Sequence, residues 1–245
     1  MLIPVPMTAW KTFIITCVAW VVTIVMFPYT PTPIWVAPRG GMVVRSFVLF
    51  HDMTHFALFK SYKMNCNWGE VAAFMCITPF QDWGSNHKRH HEVFGDLSNP
   101  RFDGGNTTWF TKQWVDAWPA WKRFIFYIIR DPIFVYCWVG PLEWWFLFHF
   151  RPGGLTPTVS HVSVWSLFYY LWGWEGVALE AGANMVGAFL GLWLFHLQHS
   201  VNKAYRVHRH ADHDVMLSGL YGSTFLHIWE PLKFFTLGIE YHHIH

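Results

Sequence analysis

The 245-residue sequence predicts an all-α integral membrane protein with four transmembrane helices in two hairpins and a cytosolic, histidine-bearing helical cap. Three observations carry that prediction. Only 13% of the residues are charged, while 53% are hydrophobic and 20% aromatic; a soluble domain holds about twice that charge. Four apolar runs approach the roughly 20 residues that cross a bilayer. Histidines, finally, gather at the ends of those runs and not inside them. The 17 Trp and 23 Phe suit a bilayer boundary, where amphipathic rings collect. A formal charge of +2 with no basic run gives no footing for nucleic acid. Cys17, Cys66, Cys76 and Cys137 form no CxxC pair and read as small apolar residues. Residues 1–245 read as a single domain.

The first span is the apolar run from Thr12 to Phe27, which tilt or flanking residues bring to membrane length. Pro28-Tyr29-Thr30-Pro31-Thr32-Pro33 then reads as a tight turn. The chain returns through Ile34 to Phe50 and delivers His51. Arg39 and Arg45 lie in this second span and are expected at an interface or snorkelling towards one. Lys60 to Arg123 is polar, with a short apolar piece from Val71 to Phe80. Ile125 to Phe150 is aromatic but broken by Arg130-Asp131-Pro132 and Gly140-Pro141, so surface-lying helices are expected there, with a full span as the alternative. After the Arg151-Pro152-Gly153-Gly154 turn come two more spans, Val162 to Trp174 and Val177 to Phe195, with Glu175 and Glu180 marking the turn between them. The fourth span runs into His196 and His199. Both hairpin turns lack Lys and Arg, so positive-inside bias puts every histidine cluster on the cytosolic side.

Three clusters stand out: His51 with His55, then His87, His90 and His91, and finally His242, His243 and His245. Spacings of three and four place imidazoles on one helical face. Neutral imidazole is the commonest protein ligand for iron, zinc and copper. The candidate ligands are His51, His55, His87, His90, His91, His242 and His245, joined by His199 or His196. That is too many for one ion and suits two. Many imidazoles without cysteine favour a redox iron site over a four-ligand structural zinc. Asp52, Asp96 and Glu240, with Glu92 and Glu230, are placed to orient ligating rings, as is His196. His149 and His161 flank the Pro-Gly turn, and His208, His210 and His213 lie in a polar connector; these read as structural.

HDMTH, HKRHH and the terminal YHHIH resemble the three histidine boxes of the membrane fatty acid desaturases. The likeness extends to Arg45-Ser-Phe-Val-Leu-Phe-His-Asp before the first box and Trp83 four residues before the second. It continues in Gly95-Asp96-Leu97 after the second box and Phe195-His-Leu-Gln-His199 before the third. HDxxH with HHIH is most similar to acyl-lipid desaturases of the methyl-end type. Two features depart from the pattern. The family's third box reads HxxHH, so a histidine is expected after His245 and residues 1–245 read as a fragment or a truncation. The second box is often preceded by Trp-Arg, where Gly84 follows Trp83 here.

The resemblance implies a mushroom-shaped helical protein whose two irons are held by His51, His55, His87, His90, His91, His242 and His245, with His199 as the further ligand. It implies an O2-dependent enzyme that inserts a cis double bond into the acyl chain of a fatty acyl lipid or acyl thioester. Electrons would come from cytochrome b5 or ferredoxin, and the membrane would be endoplasmic reticulum, plastid or bacterial inner membrane. Hydroxylases and ketolases share the scaffold and form the first alternative. A non-catalytic membrane metal-binding or transport protein is the second; it calls for ionisable residues buried within the spans. A haem protein needs facing histidine pairs, and the first span has none.

Overall fold

The computed structural model describes residues 9–29, 32–98, 112–129, 131–134, 142, 155–200 and 205–244. Among these the elements are helical, with a lone bridge between Asp96 and Val207 as the extended pairing. α1 (Ala9–Val25) is an apolar run free of Gly and Pro, and Pro28 ends it in a 3-10 turn, Phe27–Tyr29. α2 (Thr32–Thr54) has 23 residues, about 34 Å at 1.5 Å each. α3 (Tyr62–Cys76) stops where Ile77 turns left-handed, with φ 56°. α4 (Phe80–Val93) starts just beyond Pro79. α5 (Lys112–Asp116), α6 (Ala120–Ile129) and a single turn, Pro132–Phe134, follow. α7 (Leu155–Ser200) is the longest element. After it come α8 (Val215–Gly222), whose N-terminus Asp214 caps by accepting from the Leu217 amide at 2.9 Å, and α9 (Lys233–Thr236).

α7 is a hairpin. At Gly173 the backbone takes φ 64° and ψ −157°, a left-handed region that glycine enters freely. A Cβ placed on Gly176 would lie 2.9 Å from the Phe168 carbonyl oxygen; along an unbroken helix those residues stand about 12 Å apart. The first leg lies against α3, where Ser160 donates to the Phe74 carbonyl at 2.5 Å and Thr156 to Glu70 at 3.0 Å. The second leg runs beside α2 in the same direction. Gly40 meets Ala183 and Val186, Gly187 meets Val43, and farther along Phe47 meets Phe195. A Cβ on Gly187 would sit 2.6 Å from that of Val43, so glycine permits a helix contact this close.

α2 is therefore the hub, packed on α1, α3, α4, α7 and α9. One core cluster, around Leu49, Phe50, Met53, Ala72 and Phe80, lies at its histidine end. Another, around Ile24, Trp35, Phe168 and Val177, lies at its turn end. Outside the core the surface is apolar in an uncommon way: Ile14, Val18, Val22 and Val25 on α1 and Val162, Tyr170 and Trp174 on α7 are all exposed. A surface of that kind marks contact with lipid or another apolar partner. Among the described residues one element, Leu155–His199, is long and apolar enough to cross a membrane, and α1 is a shorter apolar helix.

The structure revises two expectations. Arg39 and Arg45 are each 1% exposed and lie inside the bundle, not at its boundary. Glu180 does not mark the turn. It sits inside the second leg and takes Arg39 in a two-pronged pair, Nε to Oε2 at 2.9 Å and Nη2 to Oε1 at 2.6 Å. Arg39 also donates from Nη1 to the Trp20 carbonyl at 3.3 Å and Thr23 Oγ1 at 3.2 Å, and stacks over Trp20. Each charge thus has the partner that its burial requires. The expected surface helices from Ile125 to Phe150 fall mostly outside the described residues.

Candidate metal centre

Two helices build one side of the centre. α2 ends in the first box, and its last turn holds His51, which is fully buried, beside His55. α4 presents His87, His90 and His91, of which His87 and His90 point inward while Lys88 and Arg89 face solvent. That split follows from the helical period. The two helices meet closely because Gly84 faces Thr54: a Cβ there would stand 3.2 Å from Thr54 Cγ2. The glycine beside Trp83 thereby has a packing reason. Trp83 lies flat on the His87 ring, centroids 4.3 Å apart and planes at 22°.

One ring nitrogen each from His51, His55, His87 and His91 falls within a group no wider than 4.8 Å. Imidazoles on one ion, at metal–nitrogen distances of about 2.0–2.1 Å, lie about 3.4 Å apart in a tetrahedron and about 4.2 Å apart across the ion, so the four rings would close by up to about 1.4 Å to share one. A second group adjoins it. His90 Nε2 and His199 Nε2 are 3.3 Å apart, His199 coming from the end of α7. His242 stands between the groups, with ring centroids 5.1 Å from His199, 5.5 Å from His91 and 5.8 Å from His51. Seven of the eight candidate ligands therefore share one place, which as a donor set suits two borderline metal ions. The eighth, His245, lies outside the described residues.

Burial, and then the neighbouring imidazoles, hold His87 and His90 well below the ordinary histidine range. Both rings are neutral at pH 7, the form that keeps a lone pair for a metal. Around them, Asp52 Oδ1 stands 3.3 Å from His51 Nδ1, so this carboxylate can fix the ring's tautomer. The other orienting candidates are placed differently. Asp96 is buried, but its carboxylate accepts from the Ser98 amide and hydroxyl and meets His210 Nδ1 at 2.8 Å. Glu240 accepts from Thr236 at 3.2 Å. His196 lies one turn below His199, against Trp193. The connector histidines fasten the cap: His210 holds Asp96, and His213 Nε2 reaches the Phe94 carbonyl at 2.9 Å. Left-handed Gly95, φ 90°, lets Val207 pair with the chain just past the second box.

Reading the histidines alone misses the residues that fasten the box-bearing segments. Asn65, fully buried, donates to the Phe59, Ser61 and Phe56 carbonyls and accepts from the Phe59 amide, closing the loop that follows His55. Gln198, also fully buried, donates at 2.6 Å to the Ile239 carbonyl, three residues before His242. For Gln198 the signal is a large polar amide inside an otherwise apolar helix; Asn65 lies in the polar first half of α3, where nothing marks it out.

Among the described residues the fold and centre define a helical protein with a polyhistidine group able to hold metal. No family model matches the chain. Curated relatives do. It is 22% identical over 217 residues to a fatty acid desaturase of Bacillus subtilis (strain 168), covering 84% of this chain and 60% of that protein. It is 29% identical over 146 residues to the sn-1 oleoyl-lipid 12-desaturase of Synechocystis sp., covering 58% of this chain and 40% of the relative. An endoplasmic-reticulum omega-3 fatty acid desaturase of Vigna radiata is 26% identical over 106 residues, 42% of this chain and 26% of the relative. The chain is a relative of the fatty acid desaturases, which are oxidoreductases. It spans less than two thirds of the length of each of these three relatives.

Proposed function

We propose that the chain is the membrane-embedded, metal-holding part of a fatty acyl desaturase that inserts a cis double bond into an acyl chain. The observation that carries this reading is the convergence of seven imidazoles from α2, α4, α7 and the third-box segment, in a chain similar to desaturases. His51, His55, His87, His90, His91, His199 and His242, with His245, would hold two irons. When bound, such a pair supplies O2-dependent removal of hydrogen from an unactivated methylene. The chain's own share is to hold neutral rings in place, to set His51 through Asp52, and to wall the centre with Phe47, Phe50, Trp83 and Phe195 so that water is kept out. Electrons come from an external carrier such as cytochrome b5 or ferredoxin. α1, α2 and the two legs of α7 make four membrane crossings, with the centre in the cytosolic cap.

The test is expression of the natural protein in a host that supplies ferredoxin or cytochrome b5, followed by chromatography of the cellular fatty acids. A new cis-unsaturated chain is expected, absent with His90→Ala. A hydroxylated product in its place moves the assignment to the hydroxylases, and stoichiometric zinc without iron in the purified protein overturns the iron reading. For topology, tags at residues 30 and 176 are expected on the face opposite to tags beside His87 and Lys203. Protease protection of residues 30 and 87 from the same side refutes the arrangement.

A further inference from the structure

His242 differs from the other central rings in how it is carried. It stands in a 3-10 turn, Ile239–Ile244, reached through α9 and two left-handed residues, Leu237 (φ 49°) and Gly238 (φ 92°). A short 3-10 segment broken at Tyr241 holds itself weakly, so its position depends on what holds the segment from outside. Gln198 holds the segment at Ile239, and Arg45 holds the α9 helix that leads into it. The Arg45 side chain is buried to 1% exposure on α2, six residues before His51, about 9 Å along the helix. Nε donates to Thr16 Oγ1 on α1 at 2.9 Å, Nη1 donates to the Phe234 carbonyl of α9, and the guanidinium plane lies 4.2 Å over the Phe234 ring. One turn back on α2, Gly41 receives the neighbouring Phe235 ring so closely that a Cβ would sit 2.7 Å from it. A planar fork with several fixed donors suits a site that must join two elements at one angle.

We propose that Arg45 is a positioning residue for the third-box imidazole. By docking α9 on the helix that ends in His51, it sets where His242 stands between the two histidine groups. The proposal rests on the reading of His242 as a metal ligand. It assigns to a residue remote from the rings a role in metal affinity, distinct from a general contribution to folding.

The experiment compares iron binding with stability. The natural protein, purified iron-free in detergent, is titrated anaerobically with Fe2+, and the melting temperature of the iron-free form is measured beside it. Variants are Arg45→Gln, Arg45→Lys and the paired control Arg39→Gln with Glu180→Gln, which removes an equally buried pair that does not touch α9. Loss of a group that orients a ligand typically weakens metal affinity about 10–100-fold, and that loss is expected for Arg45→Gln, with partial recovery in Arg45→Lys. The control is expected to melt earlier yet bind iron as the parent does. Parent-like iron binding in Arg45→Gln overturns the proposal alone. If the control and Arg45→Gln lose iron in the same proportion as they lose stability, Arg45 is structural only. A parent protein that takes up no iron overturns the metal reading and this inference together.

Discussion

The four-histidine group and the third-box histidine differ in what fixes them. His51, His87 and His91 ride on two packed helices and His55 follows the end of one, its amide bonded to the His51 carbonyl, so helical hydrogen bonds set the ring spacing within each box. His242 rides on a short irregular segment held by side chains from other elements: Arg45 from α2 and Gln198 from α7. Every described ring of the centre but His242 is thus positioned by a helix, and His242 by buried polar latches. A latch is a single point of failure, whereas a helix shares its load across many bonds.

The largest effect expected is from His87→Ala. That ring contacts the rings of His51, His55, His90, His91 and His242, so its loss should abolish iron retention through desalting while the protein still accumulates in membranes. Retained iron at parent stoichiometry would break the reading of α4 as the central ligand helix.

A paired comparison sharpens the contrast. Gln198→Leu leaves the Ile239 carbonyl without its donor, about 1–3 kcal/mol, and should lower iron affinity because the segment carrying His242 is released. Asn65→Ala should cost at least as much stability, since several backbone groups lose their partner. Yet it should leave iron affinity close to the parent's, because His51 and His55 remain in helical register. Equal losses of iron in both variants, measured against thermal melting, would erase the distinction between latched and helical ligands.

The smallest effect expected is from Lys88→Ala. Lys88 is exposed on α4 and stands 3.9 Å from Glu92, a surface pair worth at most about 1 kcal/mol. Iron content and product should be unchanged, and the same holds for His208→Ala on the exposed part of the connector.

The sequence made the helical half of this centre legible because spacings of three and four speak directly of a helix face. The four helices of the bundle were legible for a similar reason, in the apolar runs around Val18, Leu49, Phe168 and Ala188. What escaped was polar and remote. Arg39 and Arg45 in an apolar run read as boundary residues, because nothing local reveals a partner 141 residues away or a carbonyl 189 residues away. Asp96 and Glu240 lie near the boxes in sequence, but their carboxylates are engaged by Ser98, His210 and Thr236. Proximity along the chain names candidates for an orienting role; side-chain direction chooses among them. Gly84 became intelligible only when Thr54 was seen opposite it.

The Arg39–Glu180 pair carries a consequence for biosynthesis. At about 5–20 residues per second, Glu180 emerges from the ribosome roughly 7–28 s after Arg39. During that interval a guanidinium within α2 is without its counter-charge; on the proposed insertion of α2 into a membrane, arginine at mid-helix carries a burden of about 2.5–3.5 kcal/mol. The waiting time is bridged by α1, which is made first: the Trp20 carbonyl, Thr23 Oγ1 and the Trp20 ring already receive Arg39. The first helical pair is therefore equipped to persist as an early intermediate. Glu180 then completes the arginine's set of partners when the second hairpin arrives.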